Sequence, residues 1–125
     1  KIHKKIKSWK YKKKNLLKHL FKKYGKLKTK SFPGRAAILV RLLDINEKLI
    51  SSVYEKPNSM KVGNYVPGTR IPIKSDNLLF KNIKKEKIIL NLAWHISSEI
   101  KKYLRKRGFK GKIVDILEKK DFNNN

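Results

Sequence analysis

A histidine at the end of the run Ile88-Ile89-Leu90-Asn91-Leu92-Ala93-Trp94-His95 is the side chain of this sequence best placed to move a proton. An almost continuously apolar segment reads as a strand covered on both faces. His95 then stands at its C-terminal end, able to bond a ligand oxygen or exchange a proton near neutral pH. Capping the next helix or bonding a loop carbonyl is the favoured reading, so no catalytic residue is assigned. Binding chemistry is spread more widely. Gly34 and Arg35 form a turn before an apolar segment, where backbone amides and a guanidinium fork receive a diphosphate. Glu55 ends an apolar run and offers an acceptor to a ribose or sugar hydroxyl. Lys61 and Arg70 stand on a turn-rich stretch and offer cations to an anionic ligand, and Gly68 and Thr69 add a shaped turn and one hydroxyl. Trp94 offers a stacking face. Each also has a structural reading: a packed turn, a surface ion pair, a solvated charge or a core position. There is no cysteine, which removes disulfides and thiolate metal sites, and three scattered histidines supply no metal centre in their place.

Positioning these residues requires an alternation of strands and helices. Apolar residues Ile2, Ile6, Trp9, Leu16, Leu17, Leu20, Phe21 and Tyr24 recur at helical spacing on a Lys-rich segment that Gly25 can end. Leu27 to Phe32 reads as a strand, Ala36 to Leu43 as a helix and Leu49 to Tyr54 as a second strand. The stretch 56 to 68 is rich in turns, Thr69 to Ile73 is a short extended piece, and Ser75 and Asp76 offer N-caps to a brief helix. Lys87 to Leu92 is a buried strand. Ile96 to Arg107 follows as a helix with Ile96, Ile100, Tyr103 and Leu104 inward, closed by Gly108, and Lys112 to Leu117 is the last strand. The pattern predicts an α/β fold, a small Rossmann-like three-layer unit with a mostly parallel sheet. Its expected organisation is a basic amphipathic helix over 1–28, the unit itself over 29–119 and a disordered tail over 120–125. Ligands in such folds bind at the C-terminal ends of the strands, which singles out the loops after Phe32, Tyr54 and Leu92.

Charge is the most prominent compositional feature: 34 basic against 9 acidic residues, a net charge of +25. Residues 1 to 35 hold fourteen Lys and one Arg with no acid. Nucleic acid is the usual partner of such a chain. Only five of the basic residues are Arg, however, and polynucleotide readers favour Arg with interleaved aromatics, so a coding bias toward Lys, Ile and Asn is the preferred explanation. No apolar run approaches the roughly 20 residues that span a bilayer, so no membrane span is expected and a cytoplasmic location is.

In order along the chain, three blocks carry a resemblance: Phe32-Pro33-Gly34-Arg35-Ala36-Ala37-Ile38-Leu39; Val53-Tyr54-Glu55-Lys56-Pro57 with Lys61-Val62-Gly63 and Tyr65-Val66-Pro67-Gly68-Thr69-Arg70-Ile71-Pro72-Ile73; and Ile88 to His95 with Glu99-Ile100. Together they resemble the C-terminal domain of sugar C-methyltransferases, with Glu55 where many members have Asp and His95 where many have Asn. The resemblance implies a substrate-side domain acting on a nucleoside-diphosphate keto-deoxysugar. S-adenosylmethionine would be held elsewhere, on a methyl-donor domain in cis or on a partner chain, so this domain alone is not expected to be active and is expected to bind no cofactor of its own. A homodimer stays open. The competing functions are a free-standing nucleic-acid-binding module and a structural or oligomerisation domain of the same fold.

Overall fold

The computed structural model describes the backbone of residues 2 to 122 and the side chains of residues 7 to 118, 120 and 121. Helix α1 (Ile2–Tyr24) turns its apolar stripe inward, burying Leu17 and Leu20. It stops at Gly25, whose amide bonds the Phe21 carbonyl at 2.7 Å and whose φ of +80° is open to glycine at little cost. Then follow β1 (Leu27–Lys30), α2 (Ala36–Leu42), β2 (Ile50–Glu55), β3 (Ile73–Ser75), α3 (Asp76–Phe80), β4 (Ile88–Asn91), α4 (Ser97–Lys106) and β5 (Lys112–Asp115). Short 3-10 turns occupy Ile83–Lys85, Trp94–Ile96 and Lys119–Phe122.

All five strands are parallel, in the order β3-β2-β1-β4-β5. This is the doubly wound α/β arrangement that the alternation predicts. Two apolar clusters flank the sheet. One joins Leu17 and Leu20 of α1 with Leu39 and Val40 of α2, and the other joins Leu79, Ile83, Ile100 and Leu104 from α3, the following turn and α4. β4 shows why its sequence is continuously apolar: Ile88 and Leu90 belong to the first cluster and Ile89 to the second. Each such side chain removed from water contributes about 1.5–3 kcal/mol before the entropy of ordering is counted.

Several boundaries differ from the sequence expectation, each for a local reason. The extended piece expected over Thr69 to Ile73 becomes the return arm of an antiparallel loop, with Val66 and Ile71 joined by a backbone bond of 2.9 Å, and β3 begins only at Ile73. Ile96, expected inward, is 36% exposed because residues 94–96 wind as a 3-10 turn that ends before α4 begins. Phe21, on the expected inner stripe of α1, is 42% exposed, while the side chains of Ile2 and Ile6 lie outside the described residues. Not every lysine of α1 is solvated: Lys13 is buried and pairs with Asp121 at 2.8 Å. The expected tail from residue 120 therefore folds back at least as far as Asp121, and residues 123 to 125 lie outside the described part.

Candidate functional site

The order of the strands reverses between β1 and β4, so the loops leaving β1 and β4 diverge to opposite faces and open a crevice at the C-terminal ends. At the end of β1, Lys30 is 2% exposed and Asp76, just after β3, is 1% exposed. The Lys30 ammonium donates to Asp76 Oδ2 at 2.6 Å and to the Tyr54 carbonyl at 3.4 Å, and lies 5.2 Å from the centre of the Tyr103 ring. Tyr103, on α4, donates its hydroxyl to the same Asp76 oxygen at 2.9 Å. Burial, then the hydrogen bond and the charge of Asp76, push the Tyr103 phenol up to about 12. Three elements are thus tied together by one carboxylate.

The next residue, Ser31, adopts φ +66°, a left-handed conformation costly for a non-glycine residue. It is held by its own neighbours: the Ser31 amide bonds the Tyr54 carbonyl at 2.8 Å and the Phe32 amide bonds Glu55 Oε2 at 2.8 Å. Lys61 completes the latch, donating to the Phe32 carbonyl at 2.6 Å with its ammonium 3.7 Å from Glu55. Above this latch opens a cavity of about 380 Å3 whose wall includes Lys30, Ser31, Glu55, Lys56, Glu99 and Tyr103.

Across the first turn of α4 lies a second depression, formed by Trp94, His95, Ser97, Lys101 and Asp115 among others. Asn91, fully buried at the end of β4, accepts from the Ala93 amide at 2.9 Å and donates to Asp115 Oδ1 at 2.8 Å. Asp115 in turn accepts from the Ser97 hydroxyl at 2.6 Å and sits 3.4 Å from the Lys101 ammonium. This network fixes the loop that carries Trp94 and His95. Trp94 packs against the first apolar cluster, and its ring meets that of His95 edge-on at 5.6 Å; His95 itself is exposed.

The sequence candidates separate into two groups. Glu55, Lys61, Trp94 and His95 stand at the C-terminal ends of the strands, and so does the exposed turn of Gly34 and Arg35, whose following amides at Ala36 and Ala37 are already bonded to the Pro33 and Gly34 carbonyls. Gly68, Thr69 and Arg70 do not join them. Pro67, Gly68 and Thr69 line a cavity with Asp44, Ile45 and Asn46, before β2 begins, and the Arg70 amide bonds Glu47 at the same end. There Val66 to Thr69 form a tight turn closed by a bond of 3.0 Å, with Gly68 at φ +78°, the geometry of a type II turn with Pro first and Gly second. The Thr69 hydroxyl donates to the Val66 carbonyl and accepts from the Ile71 amide. That segment's chemistry is used by its own fold.

Lys30, Asp76, Tyr103, Glu99 and the Asn91–Asp115 pair are not singled out as site residues by the sequence, although Asn91 and Glu99 belong to the third resembling block. Asp76 reads as a helix cap and Tyr103 as a core residue; only Asn91, one polar side chain in a run of aliphatics, gives a local signal. Among the described residues no group of acids and histidines is arranged to hold a metal ion, and no helix is long and apolar enough to cross a membrane. Compared with known proteins, the chain matches the family model of the C-methyltransferase C-terminal domain over residues 1–116. No curated protein and no solved structure matches it.

Proposed function

Because this chain belongs to the C-methyltransferase C-terminal domain family, we propose that it forms the substrate-side wall of an S-adenosylmethionine-dependent C-methyltransferase and holds a nucleoside-diphosphate keto-deoxysugar over the C-terminal ends of β1, β2 and β4. The observation that carries this reading is the composition of the cavity wall. Glu55 and Glu99 offer acceptors to sugar hydroxyls, Asn58 and Ser59 offer both donors and acceptors, and Ile96, Ile100 and the Tyr103 ring give an apolar floor for a ring's carbon face. Lys56 is the exposed cation on that wall and suits the diphosphate. Lys30 and Asp76 act beneath the ligand as positioning residues, holding β1, α3 and α4 at fixed spacing.

We assign no described residue to S-adenosylmethionine. The turn after β1, where doubly wound folds receive a cofactor, is filled by buried Phe32, and its amide and carbonyl are taken by Glu55 and Lys61. In this reading the methyl group comes from a methyl-donor domain facing this wall, in cis or on a partner chain. His95, on the neighbouring depression, is within the region such a domain would cover and stays the one proton-moving candidate of this chain.

Calorimetric titration with dTDP and dTDP-keto-deoxysugars tests the reading. Saturable binding should weaken at least tenfold when Glu99→Gln is combined with Lys56→Ala, and should be unchanged by Arg70→Ala at the opposite end. Binding indifferent to the first pair, or lost equally with Arg70→Ala, would sink it.

A further inference from the structure

The basic residues of this chain are not spread evenly over its surface. Four acids mark the C-terminal ends of the strands: Glu55 ends β2, Asp76 follows β3, Asp115 ends β5 and Glu99 lies in the first turn of α4. Lysines instead crowd the segments that lead into β1, β4 and β5. The end of α1 and its turn bring Lys23 and Lys26, the approach to β4 brings Lys85 and Lys87, and the approach to β5 brings Lys110 and Lys112, all exposed. The β5 approach lies directly against the β4 approach, with the Lys112 amide bonded to the Lys87 carbonyl at 2.8 Å. A cavity of about 560 Å3 opens among the first two segments, with Tyr24 in its wall. Its acid, Glu86, is already paired with Lys28. The acids that enter β2 at this end are engaged too: Asp44 pairs with Lys14, and Glu47 accepts from the Arg70 amide. A coding bias toward lysine accounts for the number of lysines; it does not account for their gathering around one groove whose neighbouring acids, Asp44, Glu47 and Glu86, are each engaged with another partner.

The basic surface also continues out of the groove. Lys7, Tyr11, Lys18 and Lys22 fall on one outward line of α1, all exposed, over roughly 20 Å of helix. Tyr11 is 69% exposed and Phe21 42%, so flat rings alternate with ammonium groups on the same helix. A small anion has no use for so long a track. An anionic membrane would draw on the apolar face of α1, and that face is buried against the sheet through Leu17 and Leu20.

We propose that this groove and the outward line of α1 form a binding surface for single-stranded nucleic acid, at the end of the domain away from the candidate substrate cavity. The lysines neutralise consecutive phosphates, and Tyr11 on the helix line and Tyr24 in the groove wall stack on bases. The surface does not depend on the sugar reading, because it shares no residue with that cavity.

Fluorescence anisotropy with a labelled oligothymidylate of about 20 nucleotides tests it, using the whole chain. Engagement of about five phosphates predicts that affinity falls on the order of 100-fold between about 50 and 200 mM KCl. Lys26→Glu with Lys87→Glu should weaken binding at least tenfold more than the charge-matched pair Lys74→Glu with Lys102→Glu, exposed on β3 and α4 away from the groove. Tyr11→Ser, on an exposed helix face where folding is not at stake, should weaken it several-fold and leave the salt slope unchanged. Inorganic polyphosphate of equal charge should bind at least tenfold more weakly than the oligonucleotide. Equal losses from the two lysine pairs would overturn the proposal, as would polyphosphate, polyglutamate, duplex DNA or anionic vesicles competing as well as the single strand.

Discussion

The two ends of the sheet are built on opposite terms. At the end where the strands finish, side chains from distant parts of the sequence are locked together: Lys30, Asp76 and Tyr103 around one carboxylate, and Asn91, Ser97 and Asp115 around another. At the end where the strands begin, the recognisable segment Val66-Pro67-Gly68-Thr69 closes on itself through bonds spanning two or three residues, and the remaining surface is mostly exposed lysine. The first end is long-range and buried, the second local and solvated. The most recognisable segment therefore marks turn chemistry, whereas the residues that brace the cavity, Lys30, Asp76 and Tyr103, lie outside the three resembling blocks.

Removing a buried charge partner should break this contrast most sharply. Asp76→Ala leaves the Lys30 ammonium buried and unpaired, and a loss of about 3–5 kcal/mol is expected in urea unfolding, whereas the joint change Lys30→Met with Asp76→Leu should recover most of it. A smaller cost, about 1–3 kcal/mol, is expected for Glu55→Ala, because the buried latch on the Phe32 amide is lost; the same change should loosen nucleotide-sugar binding. Gly68→Ala, at φ +78°, should cost about 1 kcal/mol in thermal or urea unfolding and leave ligand titrations unchanged, which separates the two ends directly. Narrowest in the pH range where it shows, but clearest in sign, is Tyr103. Its phenol is raised from 10.0 to about 12 in the fold, so its contribution is complete below pH 10 and fades as pH climbs toward 12. Ultraviolet titration should show one tyrosinate step near pH 12 that Tyr103→Phe abolishes. A step at pH 10 for this residue would mean that neither the burial of the phenol nor its bond to Asp76 holds in solution.

The legible parts of the structure were those set by local rules. Alternating strand and helix patterns gave the doubly wound fold, Ser75 does cap α3 by accepting from the Asn77 amide, and the continuous apolar run of β4 did mean burial on both faces. Of the candidate site, only the placement of residues that border a strand end was legible, as with Glu55 and His95. Lys30 could not be read, because a lysine in a strand is ordinarily an edge or surface residue, and only the return of Asp76 from 46 positions away makes its burial tolerable. The placement of Gly68 and Thr69 was hidden for the opposite reason: their types suit both a ligand loop and a tight turn, and the direction in which the loop points is decided by its antiparallel return along β3, which spacing does not encode.

The pairing of Lys13 with Asp121 has a consequence for how the chain is made. A ribosome releases α1 first, yet the carboxylate that accepts its buried lysine emerges roughly a hundred residues later, a delay of about 5–20 s at ordinary bacterial and eukaryotic speeds. Throughout that interval the helix has neither its charge partner nor the completed sheet to lie on. Its leucines are then exposed beside the ribosome, and a domain that waits for its last segment before it can seat its first is one whose yield should respond to the pace of synthesis.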